Sequence, residues 1–367
     1  MELSDFTIGK PMTGISKKIY WAKWRCPSNI ALVKYWGKRD FQIPMNPSLS
    51  FVLQNAFTET SVGLTKDGNK KVEFYFEGAP STFGERIEKY LNLLSVRMPW
   101  INKYNFMIHS RNSFPHSAGI ASSASSFGAL ALCLTELDFA FSGKETDSSD
   151  FFAKASELAR MGSGSACRSV HPGFAIWGQT PLIEKSRDEY AIPLREGIHP
   201  VFSGLRDAIL MVDSGIKEVS SSVGHESMND HIYQRSRIAQ ARQNINELYL
   251  ALITGNQDKF IEVVENEAMS LHAMMMTSNP SFLLLKPNSL ELINQIRRFR
   301  EKTKIPVCFT IDAGPNIHLL YFSENEPEVK AFIESELLAF CENQKWIDDR
   351  IGSGPEASPK PPPKEGA

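Results

Sequence analysis

No sign of charge dominates this chain. Its 40 lysines and arginines nearly balance 42 aspartates and glutamates, for a net charge of -2. That removes the basic field a nucleic-acid binder needs, and there is no acidic tail. Long apolar runs are also missing, with nothing approaching the roughly 18 continuous apolar residues of a membrane span. The N-terminus, MELSDFTIGKPMTG, has no apolar stretch of the kind a secretory leader carries. Cysteine is scarce and odd in number. Cys26, Cys133, Cys167, Cys308 and Cys341 have no C-x-x-C spacing. This argues against disulfides or a zinc site and for reduced thiols in the cytoplasm. None of the eight histidines falls in H-E-x-x-H spacing, and His272 beside Met274 and Met276 reads as core or pocket lining. The chain also lacks the Walker G-x-x-x-x-G-K-[ST], the third glycine of a Rossmann loop and the G-x-S-x-G elbow of a serine hydrolase.

What is present is an ordinary globular composition, 42% apolar and 22% charged over 367 residues. That length points to one large domain or two fused ones. The segment IYWAKWRCPSNIALVKYWG predicts a strand, a turn near Pro27 and a short helix. PSLSFVL, ETSVGLT and KKVEFYFEG alternate like half-buried strands. Helical spacing covers FGERIEKYLNLL and DSSDFFAKASELARMG, the latter capped by Asp147 or Ser148. GFAIWG and DAILMVD read as strands. Long helices follow over IAQARQNINELYLALITG and DKFIEVVENEAMSLHAMMM, then SLELINQIRRFRE, a strand pair PVCFTIDAG and NIHLLYFS, and a helix over EPEVKAFIESELLAF. Strands early and helices late predict an α+β architecture. A composition shift near 195–225 divides the chain into an arm (1–19), domains 20–200 and 201–350, and a Pro-rich disordered tail (351–367).

The stretch FPHSAGIASSASSFGALALCL sets a proline, a glycine and serines before an apolar helix. The unpaired N–H groups at such a helix start carry partial positive charge, and small residues let an anion come close. A plain serine-capped helix would look the same.

Beyond that point the motifs are informative together. Pro115-x-x-x-Gly119-x-Ala121-Ser122-Ser123-Ala124 resembles the ATP phosphate loop of the GHMP small-molecule kinase superfamily. Four more segments resemble the mevalonate diphosphate decarboxylase family. They are CPSNIALVKYWGKRD (Cys26 to Asp40), GSGSACRS (Gly162 to Ser169), KEVSSSVG (Lys217 to Gly224) and DAGPN (Asp312 to Asn316), in the family's order. The resemblance implies a two-domain α+β GHMP kinase fold with the active-site cleft between the domains. It also implies ATP-dependent decarboxylation of mevalonate 5-diphosphate to isopentenyl diphosphate through phosphorylation of the 3-hydroxyl.

Within that resemblance Asp312 is the general base, and Lys34 lies beside it. An ammonium there favours the ionised carboxylate and offsets charge on the transferring phosphoryl group. Arg168 offers a planar fork for the substrate carboxylate. Asn29, Tyr35, Lys38, Ser163, Ser165, Ser220 and Ser221 are the implied substrate contacts, with Lys217 left open. Pro115, Gly119, Ser122 and Ser123 form the implied ATP site, Mg²⁺ arrives with ATP, and the implied assembly is a homodimer without nucleic-acid or membrane partners. Trp36 reads as packing. Three stretches depart from the family's usual form: Pro47 after Asn46, Phe114-Pro115-His116-Ser117, and His171-Pro172. They keep two related activities in view, a phosphomevalonate decarboxylase and a mevalonate 3-kinase, and from another class a non-catalytic ligand sensor on the same fold.

Overall fold

The computed structural model describes residues 20–66, 70–115, 120, 122–146, 148–213, 215 and 221–358, with the backbone alone at 221 and 222. Two sheets organise it. The larger takes β1 (Tyr20–Val33), β2 (Ser48–Thr65), β3 (Val72–Phe76), β4 (Ala79–Pro80), β5 (Asn105–Asn112), β6 (Phe174–Trp177) and β7 (Ile192–Leu194). The smaller takes β8 (Leu205–Leu210), β9 (Cys308–Thr310), β10 (Ile317–Phe322) and β11 (Trp346–Arg350), in the order β11-β8-β10-β9. A last short strand, β12 (Glu356–Ala357), returns to pair with β1. Pairing is antiparallel except between β3 and β5.

The helices are α1 (Gly84–Leu94), α2 (Ser122–Ser142), α3 (Ser149–Gly162), α4 (Ala166–Ser169), α5 (Ser221–Glu226), α6 (Gln234–Thr254), α7 (Gln257–Met276), α8 (Pro287–Thr303) and α9 (Glu326–Phe332). α3 starts as its sequence predicts, the Ser148 hydroxyl accepting from the Phe151 N–H at 3.2 Å. α2 is long and apolar enough to cross a membrane by length and composition alone. Its apolar side chains, including Leu130, Leu134 and Cys133, lie instead in the core of the larger sheet. All five cysteines are free and buried. A second core joins the two sheets, packing Ile30, Leu32 and Phe51 with Phe202, Ile209, Leu248, Phe260 and Phe322. Fully burying one such side chain contributes about 1.5–3 kcal/mol, so this shared core is a strong reason for the sheets to hold together.

Four local expectations are corrected. The predicted turn and short helix around Pro27 are absent, and β1 runs straight through it. Pro27 is tolerated because the register shifts between Pro27 and Asn29, where a ladder N–H is dispensable. PSLSFVL and ETSVGLT are one strand, β2, with a wide bulge between Val52 and Phe57. The bulge strands backbone N–H groups that the ladder cannot serve. Asp349 of β11 accepts them, from Gln54 and Asn55 on Oδ1 and from Ala56 on Oδ2, at 2.8 to 2.9 Å. The tail expected to be disordered from residue 351 is held as far as Ser358. Ile351 bridges to Leu53 and Ser358 N–H donates to Lys23. The helix predicted over 326–340 keeps α geometry to Phe332, then continues as a π turn and a 3₁₀ turn. The predicted arm at 1–19 and the chain beyond 358 lie outside the described residues.

Candidate active site

Lys34 is the first residue beyond the end of β1. Leaving the ladder exposes its backbone N–H and C=O to the need for new partners. Both find side chains: Glu267 of α7 accepts from the N–H at 2.8 Å, and the Asn46 amide donates to the C=O at 3.0 Å. The Lys34 side chain is 2% exposed, with Nζ 2.8 Å from Oδ1 of Asp312, whose side chain is 24% exposed. Asp312 opens the turn from β9 to β10, its carbonyl accepting from the Gly314 N–H at 2.7 Å. His272 of α7 lies with Nε2 3.2 Å from that same carbonyl, so Nε2 carries the proton. Burial, with the Lys34 ammonium nearby, pushes the His272 ring down to about 4, which leaves it neutral. The sequence reads His272 as core or pocket lining; it is buried, and it is also tied to the turn that bears Asp312.

Arg168 sits on α4 and is 2% exposed. One Nη donates to the Ser48 hydroxyl, while Nε has no hydrogen-bond partner. Burial pushes the guanidinium down, and the acidic neighbours Cys167, Asp312 and Tyr35 oppose that. Asn29 donates to the Ser165 carbonyl at 3.0 Å and the Ser169 hydroxyl at 2.8 Å, leaving its own Oδ1 without a partner. The Tyr35 hydroxyl and Asn46 Oδ1 are also buried and without partners. Buried polar atoms are normally satisfied. These four, without partners among the described residues and linked through Lys34, Ser48 and α4, mark a place where a polar ligand would complete the bonding.

The small residues between α3 and α4 have a packing reason. A Cβ at Gly162 would lie 2.1 Å from Phe127, and one at Gly164 would lie 2.6 Å from the Tyr35 hydroxyl. Tyr35 is thus pressed onto this loop, its ring between Trp177 at 4.7 Å and His225 at 4.3 Å. His225 also touches Trp36 at 5.0 Å and accepts from the Gly37 N–H at 3.1 Å. Burial, with Lys38 adding to it, pushes His225 down to about 3. Trp36 packs in a core with Met228 and Met275, as its sequence suggested.

The expected ATP loop meets the expected substrate loop at α2. Ser123 and Ser163 hydroxyls lie 3.3 Å apart. Ser122 accepts on its carbonyl from Ser125, whose hydroxyl also joins Thr58 at 2.7 Å and Ser28 at 3.2 Å. Pro115 is exposed just after Phe114, which enters the shared core. Gly119, Lys217 and Ser220 lie outside the described residues, as does the side chain of Ser221. Of the departures, His171 is buried and bonded to the Ala191 carbonyl at 2.8 Å, a structural tie. Asn46 also donates to the Pro47 carbonyl at 2.8 Å, and His116 and Ser117 lie outside the described residues.

Sequence reasoning missed Ser48, Glu267, His225 and the Ser125 cluster. The departure at Asn46-Pro47, next to Ser48, is the one sequence signal that points toward any of them.

Comparison with known proteins gives a consistent result. Residues 26–188 match the diphosphomevalonate decarboxylase-like N-terminal domain, and residues 208–359 match the mevalonate 5-diphosphate decarboxylase C-terminal domain. The diphosphomevalonate decarboxylase of Eremothecium gossypii is 30% identical over 347 residues, covering 89% of this chain and 83% of the relative. The crystal structure of mevalonate diphosphate decarboxylase from Staphylococcus aureus superposes with a TM-score of 0.81 at 28% identity, covering 93% of this chain and 99% of that one. A structure of MDDEF in complex with MVAPP, AMPPCP and magnesium superposes with a TM-score of 0.80 at 27% identity, covering 94% and 100%.

Proposed function

The chain belongs to the diphosphomevalonate decarboxylase family, and from that premise we propose how its own residues convert mevalonate 5-diphosphate and ATP into isopentenyl diphosphate, ADP, phosphate and carbon dioxide. The observation that carries the reading is the Lys34–Asp312 pair at 2.8 Å, accompanied by a buried guanidinium, Arg168, that no carboxylate pairs among the described residues.

A tertiary hydroxyl is a poor nucleophile and hydroxide a poor leaving group. Asp312 accepts the 3-hydroxyl proton as that oxygen bonds to the γ-phosphorus of ATP and the bond to ADP breaks. Lys34 offsets charge on the transferring phosphoryl group. The C3–O bond then breaks and phosphate leaves, taking the bonding pair. Asp312, ionised again once it gives its proton to that phosphate and still close to C3, stabilises the cationic character left there by its charge. Arg168 holds the substrate carboxylate with its planar fork. The C–C bonding pair becomes the alkene as CO₂ departs. Asn29, Tyr35, Lys38, Ser163, Ser165, Ser220 and Ser221 bind the rest of the substrate, and the unpartnered Asn29 Oδ1 and Tyr35 hydroxyl support this for two of them.

Pro115, Gly119, Ser122 and Ser123 cradle the ATP phosphates. Mg²⁺ bound with ATP would supply charge neutralisation, and the half-buried Ser122 and Ser123 would offer it hard oxygen donors. We read residues 20–200 and 201–350 as the two domains of the fold. The enzyme works as a homodimer in the cytoplasm, a reading supported by the family resemblance and by five unpaired thiols.

The test is turnover of purified protein with Mg-ATP, scoring ADP and CO₂ separately on mevalonate, its 5-phosphate and its 5-diphosphate. Equal ADP and CO₂ from the diphosphate alone is the expected result. ADP without CO₂, or preference for the monophosphate, overturns it. Asp312→Asn should lower kcat about 10²- to 10⁴-fold in a folded protein; normal turnover would remove the proposed base.

A further inference from the structure

One helix holds both members of the reacting pair from behind. Glu267 of α7 is fully buried, and each carboxylate oxygen is committed. Oε2 accepts from the Lys34 N–H at 2.8 Å and from Arg237 at 2.5 Å. Oε1 accepts from Arg237 at 2.9 Å and from Asn244 at 2.6 Å, both on α6. The carboxylate cannot turn without abandoning several donors at once. Five residues further along the same helix, His272 is 1% exposed and donates from Nε2 to the Asp312 carbonyl at 3.2 Å. The two ties are thus separated by about 7.5 Å along the axis, and an internally hydrogen-bonded helix keeps that spacing.

We propose that α7 is the template for the reacting pair, with Glu267 and His272 as positioning residues that set where Lys34 Nζ and the Asp312 carboxylate meet. The inference rests on the roles given to Lys34 and Asp312 above. A lysine has a long flexible stem, so its reach depends on where its backbone is held. The ladder of β1 has ended at Val33, and Glu267 takes over that task. Asp312 sits in a turn, where the backbone has more freedom than in a strand, and His272 removes it. Neither Glu267 nor His272 touches the reacting atoms. Their effect should fall on the alignment of the reaction and leave the recognition of substrate alone.

The test uses steady-state kinetics of the full chain with Mg-ATP and mevalonate 5-diphosphate. His272→Leu fills the space and removes the donor. It should lower kcat about 10- to 100-fold while both KM values stay within about twofold. His272→Gln returns an amide N–H near the position of Nε2 and should recover most of the lost kcat. Glu267→Gln, which takes an acceptor from the Lys34 N–H or from Arg237, should also lower kcat with little change in KM. Unchanged kcat in folded His272→Leu overturns the template. So does a folded His272→Gln as slow as His272→Leu, or a loss carried by KM in both His272→Leu and Glu267→Gln. Asp312→Asn is measured alongside. If it stays active, the roles assigned to the pair fail first; if it is inactive while the α7 variants are normal, the template alone fails.

Discussion

Arg237, between α6 and α7, and Arg168, in the cleft, are equally buried at 2% exposure, yet their electrostatic settings are opposite. Arg237 donates to both oxygens of a fully buried carboxylate, Glu267. Arg168 donates to one hydroxyl, Ser48. Each leaves its Nε without a partner among the described residues, and Arg237 also donates to Gln240 at 3.2 Å, so the main difference is the paired anion. A buried cation without a counter-charge is expensive. At Arg237 the chain supplies that charge itself, and the pair serves the architecture. At Arg168 no carboxylate among the described residues pairs with it, and Asp312 acts only as a nearby charge, which makes sense if the paired counter-charge is the carboxylate of a ligand. Lys34 stands between these cases. Its partner Asp312 is its own, but that carboxylate remains 24% exposed and can meet something else.

Replacing each arginine separately is the direct way to break this contrast. Arg237→Met leaves Glu267 buried with its charge and only neutral donors. Stability to urea should drop by about 3–5 kcal/mol, the largest effect expected. Arg168→Met abandons no carboxylate, so its midpoint in urea should stay or rise. Its kcat/KM should fall instead, by the equivalent of about 2–5 kcal/mol. Arg168→Lys keeps the charge and loses the planar fork, so it should lie between Arg168→Met and the unaltered enzyme. If Arg168→Met unfolds as readily as Arg237→Met, the cleft arginine is structural and the contrast is false.

The sequence makes one side of this contrast far more readable than the other. Arg168, Lys34 and Asp312 stand in compact motifs, GSGSACRS, IALVKYWG and DAGPN, whose resemblance names them. Helices such as α3 are readable because apolar spacing and a Ser148 cap are local signals. Glu267 and Arg237 carry no such mark. In VVENEAMS a glutamate reads as a solvated helix face, because the cation that buries it is 30 residues away on another helix. The Lys34 N–H it binds is 233 residues away. Pro27 misled for a related reason. Its turn chemistry is local, while the register shift that admits it depends on β2. Asp349 likewise gains meaning only from the bulge it serves in β2.

A fourth buried cation gives the finest test of the rule that partnered cations belong to the architecture. His318 of β10 is 1% exposed, and its Nδ1 lies 2.8 Å from Oδ2 of the buried Asp207 on β8. Burial opposes the charged ring, but the Asp207 carboxylate outweighs it, with Asp312 adding to the pull and Lys34 resisting. The ring's pKa is therefore raised above its ordinary 6.5. The folded state thus holds a proton that the unfolded chain has lost. Stability from this pair is fully present below about pH 6.5 and is lost as pH climbs through the folded value, with a slope of at most about 1.4 kcal/mol per pH unit. Asp207→Asn removes the main attraction and leaves burial, the largest influence, opposed only by the smaller pull of Asp312, so the ring's pKa should fall below its ordinary value. The unfolded chain then binds more protons in that window, and this site's contribution should rise with pH. Urea midpoints between pH 5 and 9 for both proteins would show the change in sign. Parallel slopes would mean that His318 is neutral in the folded protein and that Asp207 is not its counter-charge.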